Sequence, residues 1–312
     1  MHGMKVGIVG AGSLGSVFAG VLAQAGASVH LISRHLDYIR EVNHSGLRLV
    51  EDTGIRVTHP QATDRPDAVG FVDLLLVMVK SYDTREAMGF ASSLVGPGTI
   101  ILSLQNGLGN EEIIAEMFGW DRIIYGRTFV GGDSVDNAKI VAGIRGKPTI
   151  IGELNGQLSE RVMGIAELFN GAGLLTDVSD NVLGVVWNKL LVNVSTGALA
   201  GITGLSYGYL YQVPDLLSVA VAAVNEGIAV AKAKGVELPN EDAEEIWLSA
   251  GRGQPASFRT SILQSLDRKS KTEIDYINGA VVRLGAEEGI RTPVNQALVA
   301  CVKALEFRSS VE

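Results

Sequence analysis

The chain has 312 residues, and its 26 lysine and arginine residues against 34 aspartate and glutamate residues give a formal net charge of −8. This negative balance, without runs of basic residues, argues against a nucleic-acid-binding surface as the main function. The single cysteine, Cys301, excludes an intrachain disulfide and indicates a reduced, cytoplasmic protein. All five histidines lie within the first 59 residues, so a later site lacks the commonest general acid and metal ligand. We predict no metal site.

The N-terminal segment predicts a strand, a glycine turn, a helix and a second strand. An apolar run over 4–9 stops at Gly10, a helical pattern follows over 14–25, and the next β-branched run is Ser28–Ile32. The turn carries the GxGxxG pattern, made of Gly10, Ala11, Gly12, Ser13, Leu14 and Gly15. Between a strand and a helix, this pattern predicts a dinucleotide whose pyrophosphate rests on the N–H groups at the helix start. The alternative is a turn that only packs the helix on the strand.

The end of the second strand indicates which dinucleotide is bound. Ser33 and Arg34 stand there, where an NAD site places an acidic residue that binds the ribose 2′-hydroxyl. A guanidinium and a hydroxyl bind a 2′-phosphate, which a carboxylate would repel. We therefore predict NADPH rather than NADH. The alternative for Arg34 is a solvated loop arginine.

Two further strands each end in a polar residue. The unalternating apolar run over 72–79 suits a central parallel strand and is followed by Lys80. The next strand, over 99–104, is followed by Asn106. Ligands of such sheets bind at the carboxyl ends of the strands, so we expect both side chains near a ligand. A surface lysine and a helix-capping asparagine are the alternatives.

The rest of the first half is predicted as follows. Residues 47–58 suggest a hairpin that covers the sheet edge, and residues 123–153 suggest antiparallel strands that extend the sheet. A helix over 157–170 and a short strand over 174–176 follow, after which helical periodicity dominates. We predict an α/β protein, with a Rossmann-type doubly wound sheet in residues 1–180 and an all-α domain in residues 181–312. The longest apolar stretches are interrupted by acidic residues, so no membrane span is predicted.

The first helix of the second half places Lys189, Asn193 and Gly197 on one face, among apolar residues. A lysine in such surroundings is either a snorkelling side chain or an ammonium removed from water. Desolvation lowers the pKa of a lysine and makes it a better proton donor near neutral pH. Further along, Thr272 could cap a helix whose first turn carries Glu273.

These segments together resemble the ketopantoate reductase (2-dehydropantoate 2-reductase) family over essentially the full chain. The matching pieces are Gly10 to Gly15, Lys80, Gln105-Asn106-Gly107, Trp187-Asn188-Lys189-Leu190 with Asn193, Ser261-Ile262-Leu263-Gln264, and the run from Thr272 to Gly279. The resemblance implies NADPH-dependent reduction of the ketone of ketopantoate to (R)-pantoate, a step toward pantothenate and coenzyme A.

The resemblance also implies a role for each site residue. Lys189 would be the general acid and Glu273 a second essential residue. Asn106, Asn193 and Ser261 would contact the substrate or the nicotinamide, with Lys80 beside them; Asn106 and Glu273 are also expected at the cofactor. Hydride addition builds negative charge on the carbonyl oxygen, and an ammonium both stabilises that charge and supplies the proton.

The chain departs from the family pattern at Gly197, where the resemblance implies a second asparagine. The reaction type is therefore better defined than the substrate, which we expect to be a small 2-oxo acid. One alternative is a reductase or dehydrogenase for another bulky 2-oxo or D-2-hydroxy acid, with Gly197 opening space for it. Another is a catalytically silent NADP(H)-binding regulator, against which Lys189 and Glu273 argue. The apolar helix over 216–231 fits either the core or a homodimer contact.

Overall fold

The computed structural model describes residues 3–311, so His2 lies outside the described residues. These residues form two compact units. One consists of residues 3–105 and 110–182, and the other of residues 106–109 and 183–311. The short segment 106–109 thus groups with the later part of the chain, although its neighbours in sequence belong to the first unit.

The elements of the first unit alternate strands and helices, and those of the second are helices. The strands are β1 (Lys5–Val9), β2 (Ser28–Ile32), β3 (Leu47–Glu51), β4 (Gly54–Thr58), β5 (Gln61–Thr63), β6 (Leu74–Val77), β7 (Ile100–Ser103), β8 (Ile123–Thr128), β9 (Gly131–Asp136), β10 (Lys139–Gly143), β11 (Thr149–Gly152) and β12 (Thr176–Val178). The first helices are α1 (Ser13–Gln24), α2 (Leu36–Ser45), α3 (Thr84–Phe90), α4 (Asn110–Phe118) and α5 (Glu160–Gly171). The later helices are α6 (Val182–Thr203), α7 (Tyr207–Leu210), α8 (Asp215–Ala233), α9 (Ala243–Gly251), α10 (Ser261–Asp267), α11 (Asn278–Glu287) and α12 (Pro293–Val311).

The main sheet confirms the predicted doubly wound architecture. Its eight strands lie in the order β12-β11-β8-β7-β6-β1-β2-β5. The strands from β8 to β5 pair in parallel, while β11 pairs antiparallel with β8 and parallel with β12. The side chains of the central strand β6 are fully buried, as expected of a parallel strand covered on both faces. The chain reverses its direction of progress across the sheet at β1 and β6, the point at which such folds bind ligands.

Two predictions about the other strands are wrong. The hairpin β3–β4 does not cover the edge of the main sheet, because β5 occupies the edge beside β2. Instead it joins β9 and β10, which were expected to extend the main sheet, in a second sheet of order β4-β3-β10-β9. This sheet packs on α1 through β3, where a Cβ added at Gly20 would lie 2.8 Å from Leu49. Leu47 and Leu49 of β3 are therefore buried, whereas Ile55 and Val57 of β4 are exposed.

The prediction of antiparallel strands over 123–153 holds only in part. The strand β8 pairs in parallel with β7, so the parallel sheet continues one strand further than expected. Only β11 extends the main sheet in the antiparallel sense. A strand-like run of residues predicts a strand, but it does not state the direction of that strand or its partner in the sheet.

The second unit is all-helical, as predicted, and buried polar side chains tie its helices to α6. The side-chain amide of Asn278 donates to the carbonyl of Val194 on α6 at 3.4 Å and to Oδ1 of Asn295 at 2.9 Å. The amide of Asn295 donates in turn to Glu226 on α8 at 2.7 Å. The carboxylate of Glu226 also accepts the backbone N–H of Val294 at the start of α12 at 2.8 Å. These bonds fix α8, α11 and α12 around α6.

Two helices of this unit, α6 and α8, are long and apolar enough to span a membrane by length and composition. Within the apolar window, 67% of α6 and 39% of α8 are buried inside the protein. Buried core helices of globular domains have the same length and composition.

Candidate active site

The GxGxxG turn has the tight geometry that its sequence predicts. Gly10 has φ +111°, and a Cβ added there would lie 2.6 Å from the backbone nitrogen of Val79. A Cβ added at Gly15 would lie 1.9 Å from the carbonyl oxygen of Gly10. Both positions therefore require glycine, since any side chain would force α1 away from the end of β1.

The start of α1 is suited to hold an anion. Gly12 is the N-cap residue, no side chain caps the helix, and its first turn carries no acidic residue. A Cβ added at the exposed Gly12 would meet no atom within 4 Å, so open space lies in front of the helix. The first N–H groups of a helix have no intrahelical partner and lie at the positive end of its dipole. The residues present thus fit a dinucleotide pyrophosphate.

Lys80 lies in the segment that contacts the glycine turn. The strand β6 ends at Val77, and Val79 packs against Gly10. Lys80 follows directly, exposed, at the start of the 3₁₀ turn Ser81–Asp83. The predicted position of this lysine at the carboxyl end of a central strand is therefore observed.

A cavity of about 560 Å³ adjoins the glycine turn within the first unit. It is lined by Ala11, Arg34, His35, Leu36, Asp37, Tyr38, Arg40 and Asn137. Two guanidinium groups face it, although Arg34 also pairs with Glu86 and Arg40 with Asp37 at 3.1 Å, all of them exposed. Arg34 is a predicted site residue, whereas Arg40 and Asn137 were not predicted. Arg40 lies within α2, after the motif, and Asn137 comes from the distant β9–β10 turn.

Tyr38 lines this cavity, whereas Ser33 precedes the lining residues Arg34 and His35 and does not line it. Ser33 is buried, and its hydroxyl oxygen accepts the backbone N–H of His35 at 3.1 Å, so it stabilises the turn into α2. The hydroxyl of Tyr38 lies 2.6 Å from the hydroxyl of Ser16 on α1. Burial raises the pKa of Tyr38 to about 12, so its phenol stays protonated at neutral pH.

In the second unit, α6 carries the predicted polar face. Lys189 and Asn193 are half-buried and stand one turn apart, and Gly197 follows one turn later, buried. Their neighbours Leu190 and Val194 are buried in the core. The helix therefore presents an ammonium and an amide on a face whose surroundings are largely apolar.

The expectation that Gly197 opens space for a larger substrate is wrong. A Cβ added at Gly197 would lie 3.1 Å from Cδ1 of Ile262, whose side chain is 1% exposed. The side chain of Ile262 therefore fills the space beside Gly197. The nearby hydroxyls of Ser195 and Thr196 donate to the carbonyl of Val192 at 2.8 and 3.0 Å, so neither replaces an amide at this position.

Ser261 and Glu273 stand at the starts of two short elements of this unit. Ser261 is the exposed first residue of α10, and the N-cap Thr260 accepts the backbone N–H of Leu263 at 3.3 Å. Glu273 is buried and precedes the 3₁₀ turn Ile274–Tyr276. The helix expected to begin at Thr272 thus starts later, as α11, because the 3₁₀ turn comes first.

The loop that carries Asn106 packs against this 3₁₀ turn. The backbone N–H of Leu108 donates to the carbonyl of Tyr276 at 2.9 Å. Gly107 has φ +81°, and a Cβ added there would lie 2.4 Å from the same carbonyl oxygen. Asn106 therefore belongs to the unit that contains Glu273, whereas Lys80 belongs to the other unit.

Comparison with known proteins identifies the family. The model of the family "Ketopantoate reductase PanE/ApbA" matches residues 6–156, and the model of its C-terminal domain matches residues 181–306. The 2-dehydropantoate 2-reductase of Halobacterium salinarum is 35% identical over 96% of this chain and 98% of its own.

Solved structures show the same fold. A PanE/ApbA family ketopantoate reductase from Ralstonia eutropha has a TM-score of 0.89 and 32% identity, covering 98% of this chain and 100% of its own. A D-mandelate dehydrogenase solved with NADH and anilino(oxo)acetate has a TM-score of 0.91 and 25% identity, with the same coverage.

The Rossmann-type unit and its glycine turn define the dinucleotide-binding class of oxidoreductases. Within that class, the chain belongs to the ketopantoate reductase PanE/ApbA family.

Gly107→Ala tests the close contact between Gly107, which follows Asn106, and the carbonyl oxygen of Tyr276. Alanine adds both left-handed backbone strain and a collision with the Tyr276 carbonyl, so we expect a loss of about 2–4 kcal/mol in the free energy of unfolding. Gly204→Ala is the matched control in the same unit, because Gly204 has φ +72° but no atom within 4 Å of an added Cβ. Denaturant unfolding measures both. Equal losses would show that the Tyr276 contact adds nothing to backbone strain.

Proposed function

We propose that the protein is an NADPH-dependent 2-dehydropantoate 2-reductase of the pantothenate and coenzyme A pathway, acting in the cytoplasm on ketopantoate to form (R)-pantoate. The observation that carries this proposal is the polar face of α6. Lys189 and Asn193 lie there, half-buried, in a family member with no histidine after residue 59. The ammonium of Lys189 is thus a proton donor that this unit offers at that face.

The residues of the second unit divide the chemistry among them. NADPH, when bound at the glycine turn, supplies the hydride. The ammonium of Lys189 stabilises the charge that develops on the carbonyl oxygen and delivers the proton to that oxygen. Asn193, Ser261 and Asn106 bind polar groups of the substrate or the nicotinamide. Glu273 binds a substrate hydroxyl.

The preference for NADPH over NADH is supported by the cavity beside the glycine turn. Arg34 and Arg40 both face it, and guanidinium groups bind phosphates through charge-assisted hydrogen bonds. Asp37 faces it as well and reduces the net positive charge. The D-mandelate dehydrogenase was solved with NADH. The relative affinities of this chain for NADPH and NADH are therefore part of the test.

The direct experiment follows oxidation of NADPH with ketopantoate and with a panel of branched and aromatic 2-oxo acids. We expect the highest kcat/KM for ketopantoate. Turnover of other acids without turnover of ketopantoate would favour the second candidate, a reductase of another bulky 2-oxo acid. Tight NADPH binding without any turnover would instead indicate a silent regulator.

Lys189→Ala should lower kcat by about two to four decades, as loss of a general acid does. The affinity for NADPH should change little, because the glycine turn and Arg34 belong to the other unit. Steady-state kinetics and a binding titration measure the two effects. An unchanged kcat would remove Lys189 from the role of proton donor.

Arg34→Ala should weaken NADPH by about tenfold or more, because a charged hydrogen bond to phosphate is lost, and should weaken NADH far less. Arg85→Ala is the matched control. Arg85 pairs with Glu116 in the same unit, with an exposed side-chain fraction of 60% against 57% for Arg34. Binding titrations with both nucleotides measure the effect. Equal losses for NADPH and NADH would contradict the assignment to the 2′-phosphate.

A further inference from the structure

Two glycines on α6 form a notch that receives a side chain from α10. Gly197 and Gly201 stand one helical turn apart, and we call them the glycine notch. A Cβ at Gly197 would lie 3.1 Å from Cδ1 of Ile262, and a Cβ at Gly201 would lie 2.8 Å from its Cγ2. A side chain at Gly201 would thus collide with Ile262, and one at Gly197 would press on it by a few tenths of an ångström. The two helices approach this closely only because both side chains are missing.

The same contact determines where Ser261 lies. Ser261 precedes Ile262 and is the first residue of α10. The glycine notch stands one and two turns beyond Asn193 on the helix that also carries Lys189. The depth to which Ile262 enters the notch therefore sets the distance between the start of α10 and the polar face of α6.

A second tie holds the chain that leads into α10. The hydroxyl of Tyr207 donates to Oγ1 of Thr196, beside the notch, at 3.1 Å. The backbone N–H of Tyr207 donates to the carbonyl of Phe258 at 3.0 Å, and their rings lie 4.8 Å apart. The segment before Thr260 is thus anchored to α6 at Thr196, so α10 has little freedom to move along the helix.

We propose that Ile262 is a positioning residue, which through the glycine notch holds Ser261 at the distance from Lys189 and Asn193 needed to bind the 2-oxo acid. This inference rests on the proposed function, since it takes Ser261 as a substrate contact. Ile262 itself is buried and touches no substrate. Displacing α10 by a few tenths of an ångström weakens substrate binding more than it slows the chemical step, because Lys189 stays in place on α6.

The first variant is Gly197→Ala, which presses a methyl group against Cδ1 of Ile262. We expect the KM for ketopantoate to rise about tenfold, with a smaller change in kcat and no change in the KM for NADPH. Alanine is a better helix former than glycine, so a fall in melting temperature would come from the contact. Gly164→Ala on α5 is the control, because an added Cβ there meets no atom within 4 Å. This variant should not lower the melting temperature.

The decisive variant combines Gly197→Ala with Ile262→Val, which deletes Cδ1 and keeps Cγ2. This pair should return the KM to within about threefold of wild type, because the colliding methyl group is gone. Gly201→Ala presses on Cγ2, which valine retains, and also lies 3.1 Å from Leu266. Ile262→Val should therefore fail to restore the KM of Gly201→Ala.

Each other outcome overturns the inference. An unchanged KM in Gly197→Ala would show that the notch does not position Ser261. Equal rescue by Ile262→Val in both alanine variants would show general relief of packing rather than this contact. If kcat falls while the KM stays constant, α10 acts on something other than substrate binding. A wild-type protein that reduces no 2-oxo acid would overturn the proposed function and with it this inference. A wild-type protein that reduces ketopantoate, with a KM that Gly197→Ala leaves unchanged, would overturn this inference alone.

Discussion

The first unit depends on the absence of side chains at Gly10 and Gly15. Only glycine lets α1 begin directly at the end of β1, since a Cβ at Gly15 would lie 1.9 Å from the carbonyl oxygen of Gly10. The same turn lies against Val79, which places Lys80 nearby, and it leaves the helix start uncapped for an anion. The second sheet then packs on α1. The close contact between Gly15 and Gly10 thus determines the position of α1, of its uncapped start and of the neighbouring Lys80.

The second unit is constrained by which proton donors it contains. Its residues include no histidine, so a proton for a carbonyl oxygen has to come from another group. The helix α6 offers Lys189 in surroundings that are mostly apolar, and buried amides of Asn278 and Asn295 hold that helix to its neighbours. A donor on a rigid helix needs little reorganisation during the reaction, which is the condition for efficient electrostatic catalysis.

The sequence predicts features whose physical cause is local. The glycine turn, the strand before Lys80 and the face shared by Lys189 and Asn193 follow from motif and period, and the structure contains all three. Contacts between distant segments were missed or wrongly predicted. The strand patterns of β3, β4, β9 and β10 do not show that these strands form a separate sheet on α1. Likewise, Gly197 shows that a side chain is missing, whereas only the fold shows that Ile262 fills the space.

Chemical rescue of Lys189→Ala tests the central claim, that an ammonium on α6 supplies the proton, most directly. Small primary alkylammonium ions, added from solution, can enter the space left by the lysine side chain and donate in its place. The account predicts that the kcat for ketopantoate rises with amine concentration in Lys189→Ala, while Asn193→Ala shows no such rise. Equal responses in both variants, or kcat in Lys189→Ala that stays at the wild-type value without amine, would contradict it.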